Sequence, residues 1–304
     1  MQGAARQPIE VEPRIDSART PRPVTIDTIL PADMAVRAEQ NGVRRAGMDG
    51  LTVLVLGVMA GAFISFGAIF ATTVSAGAGA LPYGVSRLLT GVVFASGLIM
   101  VVVAGAELFT GNNLIVMAWA SGKVRTQSML TNWLVVFIGN CIGALGTAAL
   151  MFFTAQYTFG GGAVGLSALV TANSKAALDF VPALTLGIMC NALVCIAVWM
   201  CFSARTTVDR VVIIIPPIAA FVAAGFEHSI ANVYFIPMGL FIKMGAGDAF
   251  WQSIGKTAAD FPALTWNNFV FGNLLPVTIG NIIGGSLLVG AMYWFVYLRK
   301  QPPL

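Results

Sequence analysis

Six apolar stretches run along the chain, near residues 51–76, 84–120, 128–154, 178–202, 210–242 and 267–298. Each is long enough to cross about 30 Å of hydrocarbon, which takes roughly 20 helical residues. Charged side chains gather between them, so the pattern predicts an all-α integral membrane protein with six transmembrane helices. The second and fifth stretches are too long for one straight pass, and polar residues and glycines interrupt both near the middle. The interruptions read Gly105-Ala-Glu-Leu-Phe-Thr-Gly-Asn112 and Gly225-Phe-Glu-His-Ser-Ile-Ala-Asn232. A break at membrane depth is tolerated only where the freed backbone lines a cavity or is buried in protein.

The two breaks match each other. At an offset of 120 they share Gly-x-Glu-x-x-x-x-Asn. Leu56-Gly-Val-Met-Ala-Gly-Ala62 likewise matches Leu186-Gly-Ile-Met-Cys-Asn-Ala192, and Ile138-Gly-Asn-Cys-Ile-Gly143 matches Ile279-Gly-Asn-Ile-Ile-Gly284. A repeat unit of three spans must re-enter from the opposite face, so the chain is expected to hold two inverted repeats, about 51–155 and 178–298, with the broken helices facing each other at mid-membrane. Ahead of them, residues 28–46 suit an amphipathic helix on the membrane surface, with Pro31 near its start. Residues 1–27 carry four arginines and four prolines without an apolar core, and are expected to be a disordered tail and no signal peptide. The channel domain is then 47–300.

Composition supports lipid as the solvent: 57% of residues are hydrophobic and 10% charged, against about 25% charged in a soluble domain. The net charge of +4 lies in loops and tails with no basic stripe, which argues against nucleic acid as a partner. Nine basic residues near span ends fall on one side (Arg37, Arg44, Arg45, Lys123, Arg125, Arg205, Arg210, Arg299, Lys300) and four on the other (Arg87, Lys175, Lys243, Lys256). The positive-inside rule therefore expects both termini in the cytoplasm. Cys141, Cys190, Cys195 and Cys201 lie in apolar runs without metal-ligand spacing, so they are read as packing residues, and no metal or cofactor is expected.

Only Glu107, Glu227 and His228 place ionisable groups deep in the apolar spans, and all three lie in the breaks. Such groups are costly in hydrocarbon and mark function. A single buried histidine ordinarily satisfies a backbone carbonyl. At the centre of a pore, a group that titrates near pH 6.5 can instead hold a cation beside an anion or hand it a proton. Half-helix N-termini at the breaks also favour an anion. The glutamates would repel one, so they are expected to point away and accept hydrogen bonds from backbone N–H groups freed by the breaks. Thr110 can both donate to and accept from His228 or a substrate. Asn140, Asn191 and Asn281 are polar positions on apolar helices, where interhelical hydrogen bonding is the default role. A Glu227–His228 acid–base enzyme is disfavoured, because neighbours on a helix point about 100° apart and no nucleophile accompanies them.

Glu107-Leu-Phe-Thr-Gly-Asn112, Asn191-Ala-Leu-Val-Cys-Ile-Ala-Val-Trp199, Gly225-Phe-Glu-His-Ser-Ile-Ala-Asn232 and Pro276-Val-Thr-Ile-Gly-Asn-Ile-Ile-Gly284 closely resemble the formate/nitrite transporter family over about residues 28–300. The resemblance implies a homopentamer of aquaporin-like protomers in a bacterial inner membrane, each with its own pore around a central opening that carries no substrate. It implies formate or a similar small anion as the transported partner, with proton exchange at His228. Thr110 is implied as the threonine of a mobile loop and Asn191 as a polar pore residue beside the histidine. Phe94, Leu98, Leu108, Phe109, Val194 and Phe221 are implied as apolar constrictions, and Lys175 as a basic residue attracting anions outside the membrane. Asn112 and Asn232 join the glutamates as structural residues of the breaks. Leu30-Pro-Ala-Asp-Met and Asn273-Leu-Leu-Pro-Val-Thr-Ile-Gly-Asn281 are most similar to the formate branch, while Gly111-Asn112 departs from it and leaves nitrite and hydrosulfide open.

Overall fold

A computed structural model describes residues 28–300 as helices joined by short turns, with no strand among the described residues. The tail expected at 1–27 lies outside them. Helix α1 (Pro31–Ala46) opens with proline at its first position and carries Asp33 in its first turn and Arg44 and Arg45 in its last, charges that complement the helix dipole. Its inner face, Met34, Ala35, Ala38, Glu39 and Gly42, is buried. The Asp49 carboxylate then caps α2 (Gly50–Ser75) by accepting the Thr52 N–H at 2.9 Å.

The 84–120 run divides as its polar interruption foretells. α3 (Tyr83–Ala104) stops at Gly105, whose φ of +83° a side chain would strain. Extended backbone follows, and helix resumes in α4 (Phe109–Asn112), a tight turn and α5 (Val116–Ala120). α6 (Thr126–Phe153) completes the first half. In the second half α8 (Phe180–Cys201) corresponds to α2, and α9 (Thr207–Ala224) stops at Gly225 with φ +78°. Helix resumes in α10 (Ser229–Gly245), which bends by 113° into the short α11 (Asp248–Ile254). α12 (Asn268–Tyr297) is the last span, and parts of it are wound as π-helix.

One element escaped the hydropathy pattern. α7 (Ala163–Ala176) occupies a stretch that the sequence reading left between the repeats. Shifted by the offset of 130 that aligns α2 with α8, it coincides with α1, so the repeat begins at the surface helix and not at the first span.

Small residues let the spans touch backbone to backbone. A Cβ on Gly143 of α6 would sit 2.0 Å from the Val58 carbonyl oxygen of α2, and one on Gly284 of α12 would sit 2.1 Å from that of Ile188 in α8. Both contacts recur at equivalent places in the two halves, as expected where close approach substitutes for hydrophobic force. Gly143→Ala should therefore lower stability by about 1–3 kcal/mol, read as a drop in the thermal midpoint of the detergent-solubilised protein. Gly146→Ala, inside the same helix with nothing within 4 Å of its Cβ position, should keep or slightly raise that midpoint.

Candidate functional site

The two breaks are held by two copies of one hydrogen-bonding device. In the first, the Asn140 amide donates to the carbonyls of Gly57 (2.8 Å) and Glu107 (2.9 Å), while its oxygen accepts the Phe109 N–H at 2.9 Å. In the second, Asn281 donates to Gly187 (2.8 Å) and Glu227 (3.0 Å) and accepts from the Ser229 N–H at 2.9 Å. One side chain thus ties a half-helix start to a neighbouring span and satisfies backbone that has no helical partner.

The glutamates do something other than expected. Neither carboxylate takes the freed backbone N–H groups: the asparagines accept those of Phe109 and Ser229, and the Leu56 and Leu186 carbonyls accept those of Glu107 and Glu227. Glu107 accepts from Asn112 Nδ2 at 2.7 Å and pairs with Arg45 Nε at 3.4 Å. Glu227 accepts from Asn232 Nδ2 at 2.6 Å and from Lys175 Nζ at 2.8 Å. The mirroring continues outward: Asn112 donates to Asn132 Oδ1 and Asn132 to the Arg45 carbonyl, while Asn232 donates to Asn273 Oδ1 and Asn273 to the Lys175 carbonyl. Arg45 also donates to Asn112 Oδ1. Each buried carboxylate is therefore neutralised from a surface helix, α1 for the first half and α7 for the second, which accounts for charge at this depth. Arg45, Asn132 and Asn273 were missed by sequence reasoning. Their signal was present, since Asn132 and Asn273 stand eight residues before Asn140 and Asn281, and Arg45 and Lys175 differ by 130.

The halves part company at the chemistry. His228 and Leu108 occupy equivalent positions with nearly the same extended backbone, φ −109° and −108°, and Thr110 answers to Ile230. His228 Nε2 and Thr110 Oγ1 are 3.0 Å apart. His228 Nδ1 accepts the Ala231 N–H at 3.2 Å, capping α10. An acceptor at Nδ1 places the proton of the neutral ring on Nε2, so the ring donates to the threonine oxygen. His228 and Thr110 are 3% and 0% exposed.

A cavity of about 400 Å³ opens from the Lys175 side and reaches His228, with Phe94, Phe221, Arg87 and Glu227 on its walls. The Phe94 and Phe221 rings meet edge to face at 5.8 Å, and Phe221 lies parallel to the imidazole at 6.1 Å. A small space of about 10 Å³ bordered by Arg45, Gly111 and Phe202 lies on the α1 side, and the large cavity reaches His228, with Thr110 hydrogen-bonded behind it. Leu98, Leu108, Phe109 and Val194 are buried in the apolar packing and lie off the lining of the large cavity. The Asn191 amide donates to Asn113 Oδ1 and the Asn281 carbonyl, both at 2.7 Å, and more weakly to the Thr110 carbonyl. It holds the backbone of the Thr110 loop. No group of metal-ligating side chains occurs among the described residues.

Residues 32–295 match the sequence profile of the formate/nitrite transporter family. The chain belongs to the formate/nitrite transporter family. The formate channel FocA of Escherichia coli strain K12 is 46% identical over 275 residues, covering 90% of this chain and 96% of that protein. Formate channel FocA of Haemophilus influenzae is 39% identical over 262 residues, covering 86% and 92%. A solved structure described as a pentameric formate channel with formate bound superposes with a TM-score of 0.79 at 44% identity, covering 82% of this chain and 98% of that one. The chain is thus a multi-pass membrane protein of this family, with six helices among the described residues long and apolar enough to cross the bilayer.

The Lys175–Glu227 pair gives a direct test. Lys175→Met should cost about 3–5 kcal/mol, because it leaves a buried carboxylate without its cation. Adding Glu227→Gln should recover most of that loss. Thermal unfolding of the single and double variants checks both expectations.

Proposed function

We propose that this protein is a channel for formate, which crosses by exchanging a proton at the His228–Thr110 pair. The observation that carries the reading is the placement of the chain's one histidine at the inner end of a cavity, hydrogen-bonded to a threonine whose inverted counterpart is Ile230. An anion entering from the Lys175 side meets Phe94 and Phe221 before it reaches the imidazole. A bare charge is costly there, whereas the neutral acid is not. Proton exchange beside the apolar rings removes that cost at the point where it is largest.

The hydrogen-bonding pattern sets an order of events. The neutral ring carries its proton on Nε2 and can release it to a carboxylate only if Nδ1 gains one. Protonation of Nδ1 and its bond from the Ala231 N–H exclude one another, so charging the ring loosens the first turn of α10. Thr110 bridges the ring and the substrate, since its hydroxyl accepts from Nε2 and retains a hydrogen to donate.

The excess of basic residues on the α1 side supports cytoplasmic termini, and with the family it supports the inner membrane of a bacterium. The pentameric relative supports a homopentamer in which each protomer carries its own route. Nitrite and hydrosulfide are the alternative substrates within the family. A neutral-solute channel of aquaporin type shares the inverted repeat, but the Asn-Pro-Ala boxes are absent from the sequence.

Uptake of formate into liposomes should rise several-fold as external pH falls from about 7.5 to about 5.5, because a proton crosses with each formate. His228→Asn should flatten that rise. A variant that kept the full pH dependence would refute proton exchange at this residue. Competition among formate, nitrite, hydrosulfide and acetate in the same assay ranks the substrates.

A further inference from the structure

The cavity wall holds a second basic residue that none of the mirrored clusters uses. Arg87, in the first turns of α3, crosses to the far end of α9 and donates from Nη2 to the Val222 carbonyl and from Nε to the Ala223 carbonyl at 3.3 Å. These are among the last carbonyls before Gly225, and a Cβ placed on that glycine would meet Arg87 Nη2 at 3.7 Å. The guanidinium is half-buried and lines the same 400 Å³ space as Lys175 and His228.

Two physical facts follow from that placement. The C-terminal end of a half-helix carries about half a negative charge, and Val222 and Gly225 at the α9 end line the space an anion must enter. Lys175 cannot offset it, because its own charge is committed to Glu227 at 2.8 Å. Among the described residues Arg87 forms no carboxylate pair. Its partners are neutral carbonyls, so it adds a full positive charge to the cavity while covering the negative helix end. Across the repeat its position falls on Thr207, so only the cavity leading to His228 receives this charge.

We propose that Arg87 is a positioning and specificity residue for the transported anion: it neutralises the carbonyl end of α9 and supplies the unbalanced positive charge that draws a small monovalent anion towards His228. This rests on the anion-channel reading above, and the lysine that the family resemblance assigned to attraction becomes chiefly the partner of a buried carboxylate.

Charge and hydrogen bonding separate in two substitutions. Arg87→Gln keeps a donor for the carbonyls and loses the charge, and Arg87→Lys keeps the charge with fewer donors. Initial rates of formate uptake would be measured against formate concentration in liposomes holding wild type or either variant, at low and at high ionic strength. At low salt, Arg87→Gln should raise the half-saturating formate concentration by about threefold to tenfold, the size of a charge at a helix end. Arg87→Lys should restore most of it, and high salt should narrow the gap because the cavity is open to screening. Equal half-saturation in wild type and Arg87→Gln would overturn the proposal. So would equal impairment of both variants at every salt concentration, which is the signature of a purely structural cap. A wild-type protein that passed no formate at all would instead overturn the channel reading, and this inference with it.

Discussion

Backbone amides at the middle of a bilayer have no water to turn to, and this protein leaves two sets of them outside any helix. Everything distinctive in the structure is arranged around satisfying those groups. Asn140 and Asn281 do so directly, each with one acceptor and one donor group serving three backbone partners. Leaving even one such group unpaired costs several kcal/mol in lipid. The asparagines in turn depend on α2 and α6, and on α8 and α12, lying close enough for Gly57 and Gly187 carbonyls to be in reach, which the glycine contacts allow.

On this duplicated frame the chemistry is single. The inverted halves agree in their glutamates, asparagines and basic partners, and they differ where His228 faces Leu108 across the repeat and Thr110 faces Ile230. The shared residues hold the backbone, while the unshared ones meet at 3.0 Å. A scaffold that supplies the same geometry twice lets one copy keep an apolar residue where the other carries a titratable group. That division lets a symmetric architecture carry one histidine, at the end of one cavity only.

Much of this was legible in the residues. The spans followed from hydropathy, the inversion from three ordered motif matches, and the site from the only ionisable groups placed deep in apolar sequence. What remained hidden was of two kinds. α7 was invisible because a helix that lies beside the spans need not be long or strongly apolar. The basic partners of Glu107 and Glu227 lie 62 and 52 residues away along the chain, on helices outside the spans, so only their shared offset of 130 hinted at the pairing. Asn191 was read by resemblance as a pore residue, and the partners of its amide, Asn113, Asn281 and the Thr110 carbonyl, were not legible. A polar residue on an apolar helix announces that it has partners without naming them.

The order of those charges along the chain bears on how the protein is made. Arg45 precedes Glu107 and Lys175 precedes Glu227, and each basic residue ends a surface helix that emerges before the span with its carboxylate. Each counter-ion therefore leaves the ribosome before the carboxylate it neutralises, so neither glutamate is made ahead of its partner.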